Sequence, residues 1–351
     1  MAIPKSIHPL PGERERESRL LTLVDAFGGK RVAIIGDLIA DEFIYGRVAR
    51  VSREAPVLIL QYDSTEILPG GAGNAANNVS ALGGRARIVG LVGNDESGRR
   101  LRASLRRVDT RGLLRPLGFV TPVKTRILAG GIHTAKQQIV RIDRVVSTDY
   151  GDKTRAAFAR AALSAAADCD AILLSDYGTG LVTPELASAI SRKVQSRPRR
   201  RLVPVLVDSR YDLMKYRGLT ACTPNESEVE MVLETRIGDN VRALERAGRE
   251  LLKRTRMSAV LITRGSRGMA VFEPGKPTVH VPIFGSDEVA DVTGAGDTVI
   301  ATMTLAISAG GSFYEAARLA NYAAGLVVMK RGTATISPNE LRESIEKDHR
   351  D

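Results

Sequence analysis

The sequence feature that most constrains the fold is a regular alternation of helical and strand-like segments in the second half of the chain. Three helical patterns are each followed by a short apolar run. The helices are predicted at residues 153–167, 184–195 and 241–254, and the strands at residues 171–174, 202–207 and 259–263. Residues 31–37 also read as a buried parallel strand, because they are mostly apolar and end in Gly-Asp. The sequence therefore predicts an α/β fold with a doubly wound, mostly parallel sheet flanked by helices.

Two β-prone regions, residues 42–65 and 120–143, lie outside this alternation. In the second region, the strand-like stretches 124–128 and 138–143 lie on either side of a Gly-Gly pair, which predicts a hairpin. The sequence therefore predicts extra strands in addition to the parallel sheet.

The length and composition fit one large α/β domain with a smaller appendage, since the chain has 351 residues and 43% hydrophobic content. We expect this domain over residues 19–345 and a loosely packed or disordered extension over residues 1–18. No apolar run approaches the roughly 20 residues that a membrane-spanning helix needs, and the charged start of the chain lacks a secretory signal. The two cysteines, Cys169 and Cys222, are predicted to be reduced and buried. These features predict a cytoplasmic protein without a membrane partner.

The net charge of +11 raises the question of nucleic acid as a partner. The Lys and Arg residues are spread through predicted helices and loops, and the sequence has no zinc-ligand spacing and no RNA-binding aromatic motif. Only 4% of the residues are aromatic. The sequence therefore predicts no nucleic-acid partner, and the excess positive charge is expected to favour anionic substrates instead.

Residues 291–298, Asp-Val-Thr-Gly-Ala-Gly-Asp-Thr, place two carboxylates around a small glycine-containing turn. An apolar-periodic run follows at once, so the turn lies at a helix start, where unpaired N–H groups and the helix dipole favour an anion. Gly294, Ala295 and Gly296 let a phosphate approach the backbone closely. Asp297 lies beside that anion site and is placed to accept a proton from a hydroxyl that attacks a phosphoryl group. The alternative is an ordinary loop in which an Asp caps a core helix.

A second glycine-rich stretch, residues 69–78, has two interpretations. Residues 71–76 satisfy the dinucleotide-binding pattern Gly-x-Gly-x-x-Ala, and Asp95 follows about 20 residues later, as that pattern requires. An NAD-dependent oxidoreductase is therefore one hypothesis. Against it, residues 65–69 make a poor buried strand, because they are few, carry a charge and include a proline. The three asparagines of the stretch suit the recognition of hydroxyl groups, since an amide both donates and accepts hydrogen bonds.

Five motifs follow one another along the chain: residues 69–78, Asp176-Tyr177, residues 225–228, residues 263–268 and residues 291–298. In type and order they resemble the ribokinase-like (PfkB) carbohydrate kinases, and the resemblance extends over residues 31–341. It implies the ribokinase-like fold, in which the extra strands form a small β-sheet lid over the sugar site. It also implies transfer of the γ-phosphoryl group of ATP to a hydroxyl of a sugar or sugar phosphate, and a homodimer that pairs through the lid. A non-catalytic sugar or nucleotide sensor on the same fold is a further alternative.

The resemblance assigns the base role to Asp297, with N–H groups of the turn before it supplied to the transferring phosphoryl group. The implied sugar ligands are Asp37, Asp41, Gly70, Gly71, Asn74 and Asn78. Carboxylates at the end of a strand suit this role, because they accept hydrogen bonds from sugar hydroxyls. For the two aspartates the alternative is a turn with a capping Asp.

Four basic residues lie on elements that we expect near the mouth of the sugar site: Lys124, Arg126, Arg141 and Arg210. They are candidates for binding a phosphate that the sugar already carries, and arginine suits this role through bidentate contact. The alternative is ordinary surface charge.

The resemblance implies ATP and Mg²⁺ as cofactors, with K⁺ as a further cation in some family members, and the sequence contains no P-loop pattern. Glu228 is implied near Mg²⁺, mainly through water. Asp291 and Thr293 are implied at the monovalent cation, together with the loop at residues 332–337. The implied nucleotide-binding residues are Asn225, Thr263, Gly265, Gly268 and Asn321. Each of these assignments has a structural alternative. The Asn-x-x-Glu motif is also typical of a capping arrangement at a helix start. Gly265 and Gly268 are also typical of a plain hairpin, and Asn321 is alternatively an asparagine that faces the core or the solvent.

Within the family, the closest resemblance is to kinases that phosphorylate D-glycero-β-D-manno-heptose 7-phosphate at O1 in the synthesis of lipopolysaccharide precursors. The matching stretches are residues 52–57, 69–78, 175–177, 223–225, 291–298 and 332–338. Arg53, Gly73 and Arg210 depart from the common residues of these relatives, so ribose, fructose phosphate and nucleosides remain alternative substrates. In some relatives this domain is fused to a nucleotidyltransferase. Because the sequence ends at Asp351, we expect such an activity on another protein.

Overall fold

The computed structural model describes residues 11–130, 136–144, 149–196, 202–285, 291–330 and 332–348. The helices are α1 Pro11–Asp25, α2 Ala72–Ala81, α3 Glu96–Ser104, α4 Gly151–Ala167, α5 Pro184–Gln195, α6 Glu226–Leu233, α7 Val241–Thr255, α8 Ala295–Ser308, α9 Phe313–Val328 and α10 Pro338–Asp348. The strands are β1 Arg31–Gly36, β2 Leu38–Val51, β3 Leu58–Gly71, β4 Arg85–Leu91, β5 Asp109–Leu114, β6 Val123–Gly130, β7 Gln137–Arg144, β8 Ala171–Asp176, β9 Val205–Ser209, β10 Ala221–Cys222, β11 Ala259–Thr263, β12 Met269–Phe272 and β13 Val279–Val281.

The larger of the two sheets is the predicted doubly wound sheet, with strand order β13-β12-β11-β10-β9-β8-β1-β4-β5. The strands from β11 to β5 run parallel, and β12 and β13 add antiparallel at one edge. The strand order reverses direction at β1, which lies between β8 and β4. In open α/β sheets, ligands bind beyond the carboxyl ends of the strands at such a point. The predicted fold class is confirmed.

The central strands are buried on both faces because their apolar side chains alternate between two cores. Val32 and Ile34 of β1 point into the core that α1, α2, α8, α9 and α10 cover. Ala33 and Ile35 point into the core that α4, α5 and α7 cover. All four side chains are fully buried, and each large one contributes about 1.5–3 kcal/mol through burial. This arrangement explains why the strand reads as a continuous apolar run.

The smaller sheet, which we call the lid sheet, has the strand order β3-β2-β6-β7. Its strands overlap the two β-prone regions at 42–65 and 120–143. Strands β6 and β7 form the predicted hairpin, whose turn lies outside the described residues. Because β2 begins directly after Asp37, the lid sheet extends from the carboxyl end of β1. Residues 65–69, expected to make a poor buried strand, belong to β3 and pair antiparallel with β2.

Helix α1 begins within the expected N-terminal extension. It starts at Pro11, so residues 11–18 are helical, while residues 1–10 lie outside the described part of the chain. Leu20 and Leu23 of α1 are buried, and Arg19 forms an ion pair with Glu315 of α9 at 3.0 Å. Packing of this kind stabilises a helix more than its own propensity does.

Cys169 and Cys222 are buried thiols, as predicted, and burial raises the pKa of the Cys169 thiol to about 11. The strand predicted at 202–207 begins only at Val205, because Pro204 has no N–H for the sheet ladder. Among the helices that the structure describes, none is long and apolar enough to cross a membrane.

Candidate active site

Three neighbouring parallel strands bring three aspartates to one edge of the main sheet. Asp37 follows β1, Asp176 ends β8, and Asp208 lies near the end of β9. Strands β8 and β9 pair in register at this point, so that Asp176 lies beside Ser209. The lid sheet starts at the same edge, which is where open α/β sheets bind ligands.

Helix α8 begins at the glycine turn that was predicted to hold an anion. Gly294 lies at its N-terminus with a φ of 81°, a left-handed conformation that favours glycine. A Cβ at Gly294 would clash with Nδ2 of Asn74, so this position has no room for a side chain. A Cβ at Gly296 would meet nothing within 4 Å. No side chain caps the helix start, so the turn can offer its N–H groups to an anion in the open space at Gly296.

Asp297, the predicted base, lies in the first turn of α8 and is only 4% exposed. Its Oδ2 accepts a hydrogen bond from Nδ2 of Asn74 at 2.8 Å, and its Oδ1 accepts one from the hydroxyl of Tyr177 at 3.1 Å. Burial raises the pKa of Asp297 to about 7, although both hydrogen bonds act in the opposite direction. A carboxylate whose pKa lies near neutral pH is well matched to removing a proton from a hydroxyl.

Asn74 and Asn78 of α2, predicted as sugar ligands, form hydrogen bonds that hold the glycine turn. Both are fully buried. Asn78 donates to the backbone and side-chain oxygens of Asn74 at 3.0 and 3.1 Å and accepts from the hydroxyl of Thr298 at 3.0 Å. Asn74 in turn donates to Asp297 and to the carbonyl of Gly294. The N–H groups of both amides are therefore used within the protein, and their contact with sugar hydroxyls stays a prediction.

Asp37, which follows β1, is buried against the loop that follows β8. Its Oδ2 accepts from the N–H of Tyr177 at 2.8 Å, and its Oδ1 accepts from the hydroxyl of Thr179 at 2.5 Å. Burial raises the pKa of Asp37 to about 6. Gly71 has a φ of 57°, and a Cβ there would lie 2.6 Å from the carbonyl of Asp37, so only glycine fits at this junction. A carboxylate has about four acceptor sites, which leaves Asp37 able to accept from a sugar.

Asp41 and Arg126, predicted as separate substrate ligands, are paired with one another. The guanidinium of Arg126 forms an ion pair with Asp41, and the two side chains are only 13% and 8% exposed. The guanidinium also lies 5.4 Å from the centre of the Phe43 ring. A side chain at Gly70 would clash with the Asp41 carboxylate. Arg126 is therefore neutralised within the protein, and its role in binding a phosphate stays a prediction.

A pocket of about 270 Å³, which we call the basic pocket, lies between the lid sheet and the loop after β8. Its basic lining residues are Lys124, Arg141, Arg144 and Arg210. Nζ of Lys124 lies 5.0 Å from the centre of the Tyr177 ring, and burial lowers its pKa, with Arg210 acting in the same direction. Arg141 pairs with Asp143 at 2.8 Å, whereas neither Lys124 nor Arg210 forms an ion pair with any described residue. The pocket therefore presents positive charge to a phosphate-sized anion.

Asn225 and Glu228, at the predicted nucleotide side, form a reciprocal capping box at the start of α6. The N–H of Glu228 donates to Asn225 Oδ1 at 2.8 Å, and the N–H of Asn225 donates to Glu228 Oε2 at 2.9 Å. The N–H of Thr263 donates to the carbonyl of Pro224 at 3.0 Å, which joins this helix start to the end of β11. Asn225 therefore makes the contacts of a helix cap, which was the structural alternative for this motif. Glu228 uses only Oε2 in the capping box, so its Oε1 lies outside it.

Gly265 and Gly268 form the predicted turn between β11 and β12, and both have positive φ, at 56° and 75°. A side chain at Gly268 would clash with the carbonyl of Val281, whereas a Cβ at Gly265 would meet nothing within 4 Å. Gly268 is therefore required by the turn itself, and Gly265 faces open space. Asn321 is buried and donates to the carbonyl of Pro282 at 2.8 Å, so it makes a core contact.

Asp208 was not a candidate in the sequence analysis, yet its surroundings suit a divalent cation. Burial raises the pKa of Asp208, and the carboxylates of Glu228 and Asp297 act in the same direction. The hydroxyl of Thr223, one residue beyond β10, is buried with no hydrogen-bond partner among the described residues. Carboxylates that repel each other are stabilised by a hard cation with oxygen ligands, so these residues fit Mg²⁺. Within the described ranges, no three or more His, Cys, Asp or Glu side chains form a ready-made metal cluster.

Asp291 joins the glycine turn to the loop that precedes α10. Its Oδ1 accepts from the N–H of Thr293 at 2.9 Å, and its Oδ2 accepts from the N–H of Gly332 at 3.0 Å. The hydroxyl of Thr333 is buried and lacks a partner in the part of the chain that is described. The two loops that were predicted to hold a monovalent cation are therefore in contact.

A family model described as pfkB family carbohydrate kinase matches residues 30–340, which is most of the chain. The chain belongs to this family. It is a carbohydrate kinase, a phosphotransferase that acts on a hydroxyl of a sugar. Kinases of the pfkB family take ATP as the phosphoryl donor, usually with Mg²⁺. The oxidoreductase hypothesis is therefore wrong. The strand before residues 71–76 is an antiparallel strand of the lid sheet, and a dinucleotide-binding unit requires a parallel one.

Curated relatives of this pfkB-family kinase are bifunctional proteins named HldE. The protein of Geobacter sulfurreducens is 40% identical over 325 residues, which cover 92% of this chain and 64% of the relative. The protein of Geobacter metallireducens is 41% identical, with 91% and 63% covered, and that of Yersinia enterocolitica is 39% identical, with 93% and 65% covered. The chain thus spans somewhat less than two thirds of the length of these relatives.

Solved structures of the pfkB-family kinase fold agree with the architecture. Arabidopsis thaliana ribokinase complexed with ribose and ATP has a TM-score of 0.66 at 20% identity, with 91% of this chain and 98% of that chain covered. Escherichia coli phosphofructokinase-2 in complex with potassium has a TM-score of 0.71 at 15% identity, with 91% and 99% covered. The fold is therefore ribokinase-like.

Three polar side chains of the site were not among the predicted site residues of this pfkB-family kinase: Tyr177, Thr179 and Asp208. Each contacts or influences a predicted aspartate. Their position in the sequence could have identified them. Each lies at or just beyond the carboxyl end of a parallel strand, which is where open α/β sheets bind ligands.

Proposed function

We propose that this kinase transfers the γ-phosphoryl group of ATP to the O1 hydroxyl of D-glycero-β-D-manno-heptose 7-phosphate. The observation that carries the proposal is the position of Asp297, buried at the open start of α8 and linked through the single side chain of Tyr177 to the basic pocket. Such a pocket suits the phosphate that this substrate already carries. The 39–41% identity to the HldE relatives supports a heptose phosphate among the sugar phosphates of the family.

Asp297 acts as the general base in this mechanism. It accepts the proton of the acceptor hydroxyl as that oxygen attacks the terminal phosphorus, a role that its pKa of about 7 supports. The backbone N–H of Gly296 lies at the uncapped helix start, whereas that of Ala295 donates to the carbonyl of Val292 at 3.2 Å. The N–H of Gly296 and the helix dipole stabilise the negative charge on the transferring phosphoryl group.

The sugar is bound between the main sheet and the lid sheet in this proposal. Asp37 accepts hydrogen bonds from sugar hydroxyls, while Asp41 is held in place by its ion pair with Arg126. Lys124 and Arg210 bind the phosphate at the far end of the sugar, with Arg141 at the rim of the pocket.

Cations complete the site in this proposal. Asp208 and Glu228 would hold Mg²⁺, mainly through water, and bound Mg²⁺ would supply positive charge at the phosphates of the nucleotide. Thr263 and Gly265 line the nucleotide. Asp291 and the loop at Thr293 bind K⁺, which suits their shared contact with the loop at Gly332.

We also propose that the lid sheet pairs with a second copy of the chain. Apolar side chains are exposed at the outer end of β2 and β3 and along β7: Val48, Val51, Leu58, Tyr62, Ile139, Val140 and Ile142. Exposed apolar surface is typical of a protein–protein interface, and these side chains belong to three strands of one small sheet. A homodimer would bury it.

The test is ATP consumption by the purified protein against a panel of acceptors. The panel contains the heptose 7-phosphate, the same heptose without phosphate, fructose 6-phosphate, ribose and a nucleoside. We expect the highest kcat/KM with the heptose 7-phosphate and a product phosphorylated at O1, which phosphorus NMR identifies. A higher kcat/KM with ribose or with a nucleoside would contradict the proposed substrate.

Asp297→Asn tests the base. We expect kcat to fall by more than about 100-fold, the scale of a positioned acid–base group, while the dissociation constant for ATP stays unchanged. Near-normal turnover in this variant would remove Asp297 from the base role.

A further inference from the structure

Tyr177 contacts three parts of the site that the proposed function uses separately. Its N–H donates to Asp37 at 2.8 Å, and its hydroxyl donates to Asp297 at 3.1 Å. Nζ of Lys124 lies 5.0 Å from the centre of its ring. One side chain therefore contacts a candidate sugar ligand, the base and the basic pocket.

The position of the Tyr177 ring is enforced by its neighbours. Gly71 has a φ of 57°, and a Cβ there would lie 3.2 and 3.4 Å from Cε2 and Cδ2 of the ring, so the backbone at Gly71 leaves little free space beside it. The Asp37 hydrogen bond fixes the backbone of Tyr177, and Lys124 lies over the ring face. Because a tyrosine has only two side-chain torsions, holding it in one place costs little conformational entropy.

The hydroxyl of Tyr177 completes the orientation of Asp297. With Asn74 alone on Oδ2, the carboxylate can rotate about its side-chain bond, whereas a second donor on Oδ1 fixes its plane. Two of about four acceptor sites are then filled, and the remaining sites can accept a sugar hydroxyl. The other charged groups that act on Asp297 are Asp41 and Lys124 from the lid sheet and Asp208 from β9.

We propose that Tyr177 is a positioning residue for the phosphoryl transfer. Its hydroxyl holds Asp297 in the orientation and the charged form that accept a proton, and its ring sets the separation between the base and the basic pocket. A sugar phosphate that spans this separation places a hydroxyl at Asp297 when its phosphate contacts Lys124. The inference rests on the proposed function, since it assigns the base and the pocket to one substrate.

The first test is Tyr177→Phe, which removes the hydroxyl and keeps the ring. The lost hydrogen bond favoured the carboxylate, so the pKa of Asp297 rises in the variant and the acidic limb of kcat against pH moves to higher pH. We expect kcat near neutral pH to fall by about tenfold, within the range of acid–base effects, and to recover partly in alkaline buffer. The KM for ATP is expected to stay unchanged.

Tyr216 provides the matched control, since it is another buried tyrosine that donates to an aspartate. Its hydroxyl bonds to Asp176 at 2.8 Å and to the carbonyl of Val182 at 3.0 Å. Tyr216→Phe is expected to lower the melting temperature and to leave the acidic limb of kcat in place. If Tyr177 were merely structural, Tyr177→Phe would behave in the same way, and the inference would be overturned.

Tyr177→Leu is the second variant, because it removes both the hydroxyl and the ring. It must show the same movement of the acidic limb and must also lose the preference for phosphorylated over unphosphorylated acceptors. A wild-type acidic limb or an intact preference in this variant would also overturn the inference. If the unmodified protein phosphorylates no sugar of the panel, the proposed function fails instead, so the two failures are distinguishable.

Discussion

The edge of the main sheet at Asp297 and the outer part of the lid sheet differ in how their side chains are satisfied. At the edge, Asp297, Asn74 and Asn78 are buried, and each forms hydrogen bonds within the protein. In the lid sheet, every residue of β7 is exposed, and Tyr62 of β3 is 63% exposed. The first region is ordered by contacts within the chain, whereas the second leaves apolar surface for a ligand or another chain to cover.

This difference suggests that the edge of the main sheet carries the chemistry and the lid sheet carries recognition. Burial of Asp297 costs free energy, because a charged carboxylate is poorly solvated there, and the result is a carboxyl group whose pKa is raised to about 7. When a ligand or another chain covers the exposed side chains of the lid sheet, each large apolar side chain that becomes fully buried contributes about 1.5–3 kcal/mol to binding. We therefore expect substitutions at the edge to affect turnover and substitutions in the lid sheet to affect binding and assembly.

Among the substitutions that test this difference between the two regions, the largest effect is expected from Gly294→Ala, which places a side chain inside the buried edge. The new Cβ would clash with Asn74, and the φ of 81° disfavours alanine by about 1–2 kcal/mol. Because a displacement of about 1 Å in an active site costs up to about 100-fold in rate, we expect a loss of kcat on that scale. The melting temperature should fall as well.

Gly296→Ala is the control for stability, since a Cβ there would meet nothing within 4 Å. Thermal denaturation of this variant should stay close to that of the unmodified protein. Equal losses of melting temperature in the two variants would contradict the contrast between a filled and an open position of the turn.

An intermediate effect is expected from Lys124→Met, at the boundary between the two regions. A hydrogen bond to a charged group contributes about 1.5–3 kcal/mol, so the KM for sugar phosphates should rise by at least about tenfold. Turnover of unphosphorylated sugars should change little. The measurement is a pair of saturation curves on acceptors with and without phosphate.

Arg126→Met is the matched variant on the same strand, and it should behave differently. It leaves Asp41 buried without its partner, so the free energy of unfolding should fall by about 3–5 kcal/mol. A selective rise of the KM for sugar phosphates with unchanged stability would instead show that Arg126 binds the phosphate, as the sequence analysis predicted.

The smallest effect on turnover is expected from Tyr62→Ser, in the exposed part of the lid sheet. It removes apolar surface from the proposed dimer interface, so sedimentation velocity should show a weaker dimer while kcat stays within about a factor of two, the scale of a typical surface substitution. Leu117→Ser is the control, because Leu117 is fully exposed and lies outside the lid sheet. An unchanged oligomeric state in both variants would remove Tyr62 from the interface.

Most of the fold was predictable because its signals are local. Helix α5 and strand β11 have the predicted bounds, since a single periodicity runs through each segment. The start of α1 was not predicted, because its order depends on packing against α9 and α10. The same holds for residues 65–69, which become a strand only because β2 lies beside them.

The candidate site divides in the same way. Asp297 was predictable, because the glycine turn and the helix that position it are adjacent in sequence. The hydrogen bond between Tyr177 and Asp297 joins residues that are 120 positions apart, and the ion pair between Arg126 and Asp41 joins residues 85 positions apart. No local pattern specifies either contact.

The order of residues along the chain was enough to specify the α/β sheet, the glycine turn and the aspartate that we assign as the base. Only the tertiary structure revealed that Asn74 and Asn78 hold this turn, that Arg126 is neutralised by Asp41, and that Tyr177 lies between the base and the basic pocket. The physical reason is the distance along the chain over which each kind of interaction acts. Backbone preferences act over a few residues, whereas the partner of a buried polar group depends on which distant segments pack beside it.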